Sequence, residues 1–236
     1  MLFKVLPDED SVAMEATLII TREASVAVEE RGRFILAVSG GRTPGKMLRA
    51  LARQDIPWEY THIIQVDERV APEGDPDRNL TTLKKNLLDN CPVLSENVHL
   101  MPVDTNNLES GILRYTEILH KVAGNPPVMD MVHLGLGLDG HTASLVPLDP
   151  VLLVTDTDVA LTRAYKGRRR MTLTYPVLNR SRKILWLVTG SDKATILMKL
   201  QDRDPSLPAS KIKSELAIVL ADDAAAKRLR LPKQWA

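Results

Sequence analysis

A histidine and an aspartate, His141 and Asp139, stand in the run Gly135-Leu136-Gly137-Leu138-Asp139-Gly140-His141-Thr142-Ala143-Ser144. A neutral imidazole near pH 7 can take a proton from water. A carboxylate nearby can orient the ring and stabilise the imidazolium that results. Glycines here allow tight turns and a close approach of ligand to backbone. The amides from Gly140 to Ser144 are expected to open a short helix and to stabilise an oxyanion. A lone loop histidine is more often structural. The flanking glycines and Asp139 are what make this one a candidate base.

Three further segments suit an anionic substrate. Ser39-Gly40-Gly41-Arg42-Thr43-Pro44 reads as a glycine turn opening a helix, where backbone N–H groups and the helix dipole form a phosphate cradle. Ser39, Arg42 and Thr43 add side-chain donors. The turn lacks the G-K-[ST] ending and is not G-x-G-x-x-G, so it does not imply a nucleotide. In Asp67-Glu68-Arg69, Arg69 is a two-pronged phosphate donor. Asp67 is a base or an orienting group, so the partner of His141 is either Asp67 or Asp139. Asn79, further along, offers a hydrogen bond to sugar hydroxyls, or else caps a helix. In Lys166-Gly167-Arg168-Arg169-Arg170, a strand beginning at Arg170 would point Arg168 and Arg170 to one face. Either could then add a second charge to the phosphate. The bland reading of both charged segments is a solvated or self-paired cluster.

The elements that must position these groups alternate. Helices are expected over Ser11–Arg31 with Gly32 as stop, from Pro44 onward, and over Thr81–Leu88, Leu108–Val122, Asp192–Leu200 and Asp222–Leu229. Continuous apolar runs at Phe34–Val38, Thr61–Val66, Val98–Val103, Met129–Leu134, Ile184–Val188 and Leu216–Leu220 read as strands covered on both faces. Val159–Arg163 and Arg170–Thr174 are weaker strand candidates. The pattern predicts an α/β fold, a single doubly wound, mostly parallel sheet with helices on both faces, Rossmann-like. No linker divides the chain, so residues 1–236 are expected to form one domain.

Composition fits this. The 236 residues are 44% hydrophobic and 26% charged, with a net charge of +1. No global field recruits nucleic acid or a membrane, so any anion site must be built locally. The single cysteine, Cys91, excludes an internal disulfide and lacks metal-ligand companions. His99 and His120 fall in a strand and a helix and read as structural. No metal and no cofactor is implied. The amino terminus lacks a signal-peptide core, and no apolar run approaches the roughly 20 residues of a membrane span. A cytoplasmic protein is expected, of undefined oligomeric state.

Together the four segments resemble the 6-phosphogluconolactonase family. Its serine-glycine-glycine turn ending in Thr-Pro is matched by Ser39 to Pro44, and its Asp-Glu-Arg segment with a later Asn by Asp67 to Arg69 and Asn79. Its Gly-x-Gly-x-Asp-Gly-His-Thr-Ala-Ser-Leu run is matched in full from Gly135 to Leu145. Its Thr-Leu-Thr-x-Pro-x-Leu-Asn block is matched from Thr172 to Asn179, and Gly190, Lys193-Ala194 and Leu207 to Ser210 fit its last third.

The resemblance implies hydrolysis of 6-phospho-D-glucono-1,5-lactone to 6-phosphogluconate, in the oxidative pentose phosphate pathway. It implies a metal-independent mechanism with His141 as base, and a phosphorylated sugar lactone as the small-molecule partner. Two stretches depart from the family. Val146-Pro147-Leu148 replaces Phe-Pro-Gly or Phe-Pro-Asn. Tyr165-Lys166-Gly167-Arg168 stands where many members carry Lys-Pro-Pro, which leaves open which basic residue meets the phosphate. The related glucosamine-6-phosphate deaminases typically continue His-Ile-Ala-Phe-Asn-Glu-Pro and have Asp-Glu-Tyr in the second segment. Thr142, Ser144 and Arg69 stand here instead, and Val146 and Pro147 occupy the region of the deaminase glutamate. A non-catalytic sugar-phosphate sensor would keep the glycine turn but has no need of Asp67, Asp139 and His141 together.

Overall fold

Parallel strands buried on both faces need apolar residues at consecutive positions, because both directions of the pleat meet a helix layer. In β2 (Phe34–Val38) all five residues are buried. Phe34, Leu36 and Val38 join one core cluster, and Ile35 and Ala37 join the other. The structure, a computed structural model, describes residues 1–230, apart from the side chain of Arg42.

The remaining strands of the main sheet are β1 (Leu2–Leu6), β3 (Thr61–Gln65), β5 (Val98–His99), β6 (Met131–Gly135), β9 (Lys183–Val188) and β10 (Ala217–Asp222). They follow the order β1-β10-β9-β6-β2-β3-β5, and every pairing is parallel. From β2 the chain winds to β3 and β5 on one side. It then returns to β6, β9 and β10 on the other. The direction reverses between β2 and β6, and open α/β sheets bind ligands at that crevice, beyond the carboxyl ends of the strands.

Helices cover both faces, as the alternation predicts. One cluster gathers residues of α1 (Glu9–Arg31), α2 (Arg42–Leu51) and α3 (Asn79–Asn86). The other gathers residues of α4 (Leu108–Ala123), α5 (Tyr175–Arg180) and α6 (Ala194–Gln201), and Ala225 of the short α7 (Asp223–Ala226). Asp8 caps α1 by accepting the Ser11 amide at 2.7 Å, and Gly32, at φ 72°, ends it in the left-handed region.

The structure adds a second sheet to the expected one. β4 (Asp67–Arg69), β7 (Val159–Leu161) and β8 (Arg170–Leu173) form an antiparallel sheet in the order β4-β8-β7. It begins one residue beyond β3. Its register sets Asp67 opposite Thr172 and Arg69 opposite Arg170.

Other boundaries differ for local reasons. The expected strand from Val98 to Val103 stops at His99. Pro102 lacks an amide to donate, and the Met101 amide is taken by the Gln65 side chain at 2.8 Å. Helix α3 begins at Asn79, two residues early, because Glu68 accepts the amides of Asn79 and Leu80 at 2.7 and 2.8 Å. Strand β1 is absent from the sequence reading; it is a half-exposed edge strand carrying Lys4 and gives no continuous apolar run. The helix expected to Leu229 ends at Ala226. Leu148, where the family often has Gly or Asn, is exposed at φ 64°.

Candidate active site

A cavity of about 630 Å³ opens at the reversal point. Its wall includes Ser39, Gly40, Gly41, Thr43, Asp67, Arg69, Asn79, Asp139, His141 and Arg170. Ten of the expected site residues thus line one space, although they come from both sheets.

The glycine turn lies between β2 and α2. Gly41 holds φ 130°, and a side chain on Gly40 would lie 1.9 Å from Asn79 Oδ1. Asn79 therefore braces the turn from behind; its Nδ2 donates to the Asp67 carbonyl at 2.8 Å. Its buried Oδ1 has no partner among the described residues. The Thr43 hydroxyl meets that of Thr189 at 3.0 Å. Arg42 opens α2, and its side chain lies outside what the structure describes. The Ser39 amide donates to His133 Nδ1 at 3.3 Å. Burial pushes the His133 imidazole down to about 4, which keeps it a neutral acceptor for that amide.

Asp67-Glu68-Arg69 divides its labour. Asp67 Oδ2 accepts the Ser144 hydroxyl at 2.6 Å, which fastens the histidine loop to the second sheet. Fully buried Glu68 caps α3 and pairs with buried Arg78 at 3.3 Å. Arg69 donates from Nη1 to the Asp77 carbonyl at 2.6 Å. Its Nε is buried without a partner among the described residues, and so is that of Arg170. These two arginines are cross-strand neighbours. Like charges directly opposite destabilise a sheet. Burial and the nearby Arg69 both push the Arg170 guanidinium down. Two cations set together with unspent donors have the chemistry to receive an anion.

Arg168 is not part of this pair. Lys166 and Gly167, at φ 51° and 81°, turn a tight hairpin in which Tyr165 and Arg168 bridge. Arg168 therefore precedes the strand and reaches outward, to Asp75 at 2.9 Å and Asp77 at 3.3 Å. Of the two candidates, Arg170 lines the cavity and Arg168 anchors the hairpin.

In the histidine loop, the Gly137 amide donates to the His141 carbonyl at 2.8 Å and the Gly140 amide to the Gly137 carbonyl at 3.0 Å. The ring folds back over Gly137, where a Cβ would lie 2.1 Å from His141 Nδ1. That nitrogen is 2.5 Å from Asp139 Oδ1. Asp139, not Asp67, is thus the carboxylate that meets the imidazole. Burial alone raises the Asp139 carboxyl, but hydrogen bonds from Tyr165 and His141 and the His141 charge hold it at about 2. A carboxylate only accepts, so Nδ1 is the donor, and whenever the ring is neutral Nε2 carries the lone pair. No helix follows His141, and several of the loop amides are engaged within the protein. His141 N faces Asp139 Oδ1 at 3.3 Å, Ser144 N faces Thr172 at 3.2 Å, and Leu145 N faces the Thr142 carbonyl at 2.9 Å. Of the amides expected to meet an oxyanion, those of Gly140, His141 and Ser144 are thus engaged elsewhere.

The cavity also includes Lys166, from the basic run expected to meet an anion, and Tyr165, Thr189 and Lys193, which the reading of individual residues did not single out. Lys193 donates to the Leu136 carbonyl at 2.7 Å. It follows Gly190 just past the carboxyl end of β9, and that location is the signal that could have found it. No signal in the spacing marks Tyr165. Among the described residues, no three His, Cys, Asp or Glu side chains could hold a metal ion, and no helix is long and apolar enough to cross a membrane.

Fold and site together define an α/β protein whose cavity sets two arginines beside an imidazole–carboxylate pair. Residues 7–220 match the family described as glucosamine-6-phosphate isomerases/6-phosphogluconolactonase, and the chain belongs to that family. It is 35% identical to a 6-phosphogluconolactonase of Synechocystis sp., over 96% of this chain and 97% of that one. Among solved structures it is similar to the 6-phosphogluconolactonase of Thermotoga maritima, with a TM-score of 0.83, 25% identity, and coverage of 94% of this chain and 98% of that one. A monomeric glucosamine-6-phosphate deaminase shares the fold at a TM-score of 0.84 and 18% identity, covering 97% of this chain and 100% of that one.

Proposed function

We propose that the protein hydrolyses 6-phospho-D-glucono-1,5-lactone to 6-phosphogluconate, with His141 as the general base. The observation that carries this reading is the presence of two pairs in one cavity: His141 with Asp139, and Arg69 with Arg170. The first pair suits water activation and the second suits the phosphate. The similarity to proteins named 6-phosphogluconolactonase adds support.

Arg69, Arg170 and the turn at Gly40, Gly41 and Thr43 hold the phosphate, and the lactone carbonyl then lies towards His141. Nε2 takes a proton from water as the water oxygen bonds to C1. The carbonyl electrons move onto their oxygen, and Arg170 and Lys193 supply positive potential in the wall. Asp139 stabilises the imidazolium. Collapse of the tetrahedral intermediate breaks the bond from C1 to the ring oxygen. His141 returns its proton to that oxygen, and the open-chain acid leaves. A δ-lactone is already reactive, so positioning and one base suffice.

The carboxylates of the cavity wall are Asp67, Asp139 and Asp192, and no glutamate joins them among the described residues. This favours water attack over the deaminase chemistry, which uses a glutamate beyond the histidine. The test is to oxidise glucose 6-phosphate in place and follow acid release above the spontaneous rate. A parallel incubation with glucosamine 6-phosphate follows ammonia. Acceleration of acid release is expected. Ammonia release overturns the reading in favour of a deaminase. Neither activity, with 6-phosphogluconate still bound, makes the protein a sensor.

A further inference from the structure

Tyr165 stands where many relatives carry the Lys-Pro-Pro stretch, so the family pattern assigns it no role. It is nonetheless the residue that touches both halves of the site. Its hydroxyl donates to Asp139 Oδ2 at 2.7 Å, the oxygen that His141 does not use. Its ring meets the His141 ring edge-on, with centroids 5.6 Å apart. The Arg170 guanidinium carbon stands 5.0 Å from the centre of the same ring. Burial and Asp139 push the Tyr165 phenol up to about 12, so it keeps its proton and remains a donor near neutral pH.

We propose that Tyr165 is a positioning residue: it fixes the Asp139 carboxylate against His141 and couples that pair to the Arg170 side of the anion receptor. The inference rests on reading His141 as the base. Asp139 is a short side chain on a glycine-rich loop, and its contacts with His141 all fall on Oδ1, which leaves the other oxygen unheld. The Tyr165 hydroxyl holds that oxygen. The hydroxyl also draws electron density from the carboxylate and moderates its pull on the Nδ1 proton. A hydrogen bond to a charged form favours that form. Losing this one makes Asp139 a stronger acceptor and His141 harder to deprotonate. The hairpin that carries Tyr165 is held in turn by Arg168 on Asp75 and Asp77. Arg168 thus serves the site without touching it.

The hydroxyl and the ring make separable contributions. Tyr165→Phe keeps the ring under Arg170 and removes only the donor. The acid limb of kcat/KM should move to higher pH by about half a unit, and plateau kcat should fall by about tenfold. KM should stay within about twofold, because the hydrogen bond does not touch the phosphate. Tyr165→Ala should add a rise in KM of several-fold, since Arg170 loses its ring. NMR titration of the His141 ring in the Tyr165→Phe protein gives a readout that needs no catalysis, and its midpoint should rise with the acid limb. An unchanged midpoint with an unchanged acid limb overturns the proposal. If His141→Ala retains turnover, the base assignment falls. The NMR midpoint of Tyr165→Phe then still decides whether Tyr165 governs the pair.

Discussion

The two sheets contribute different things to the same cavity. The parallel sheet offers backbone: the glycine turn after β2 and the histidine loop after β6, both at strand ends where a ligand can approach. The antiparallel sheet offers charged side chains from within its strands: Asp67, Arg69 and Arg170. A parallel strand buried on both faces has no room for charge along its length. A short antiparallel strand at the rim can turn one face to a cavity. On the proposed reading the parallel sheet carries the base and a backbone turn, the antiparallel sheet carries the cationic side chains, and the two can be broken independently.

The largest effect is expected from His141→Ala on the parallel side. Loss of a general base costs about 10²–10⁴-fold in kcat, while phosphate affinity persists. Turnover near that of the parent would remove His141 as the base. Glu68→Gln attacks the other sheet through its interior. It leaves buried Arg78 uncompensated, and breaking a buried pair costs about 3–5 kcal/mol. Chemical denaturation should show that loss, and an unchanged midpoint would mean that Glu68 is not the brace of β4 and α3. Arg69→Ala should raise KM by about 10- to 100-fold, the worth of a charged hydrogen bond, with kcat little altered. A fall in kcat at constant KM would move Arg69 from the phosphate to the reacting end.

Acid gives the smallest and most graded effect. Folded His133 stays neutral down to about 4, against 6.5 when unfolded. Between those values the unfolded chain binds a proton that the folded chain refuses. Stability therefore falls as pH drops below 6.5, by at most about 1.4 kcal/mol per unit from this residue. Denaturation at pH 7 and pH 5.5 should register the loss, and His133→Gln should flatten the slope. An equal slope in that variant would place the acid sensitivity elsewhere, for instance in His99, which is also held at about 4.

Much of the parallel half was legible in the sequence. Continuous apolar runs ending in glycine identify strands and their ligand-facing ends from local residues alone, and β2 and β6 with their loops followed from that. The antiparallel half was less legible because its information is long-range. Nothing near Asp67 reveals that Ser144 is its partner, 77 positions away. The choice between Arg168 and Arg170 turned on where a hairpin ends and a strand begins, and the left-handed residues Lys166 and Gly167 decide it. The loop after His141 looked like a helix start, yet the Ser144 amide turns to Thr172 and the Leu145 amide to the Thr142 carbonyl. Strand β1 gains its place from β10, more than 200 residues on, and not from its own pattern.

The opposed arginines have a consequence for the protein at rest. Arg69 and Arg170 face each other across paired strands, so their like charges oppose that pairing, and on the proposed reading a bound phosphate offsets the repulsion. Its resistance to heat is then a property of the solution as well as of the chain. A species that binds only the folded form adds RT ln(1 + [L]/Kd), about 2.7 kcal/mol at a hundredfold excess over Kd. In phosphate buffer the melting temperature should stand above its value in a buffer without phosphate at equal ionic strength. On the proposed reading, a phosphorylated sugar held in the cavity would raise the resistance of the folded chain in the same way.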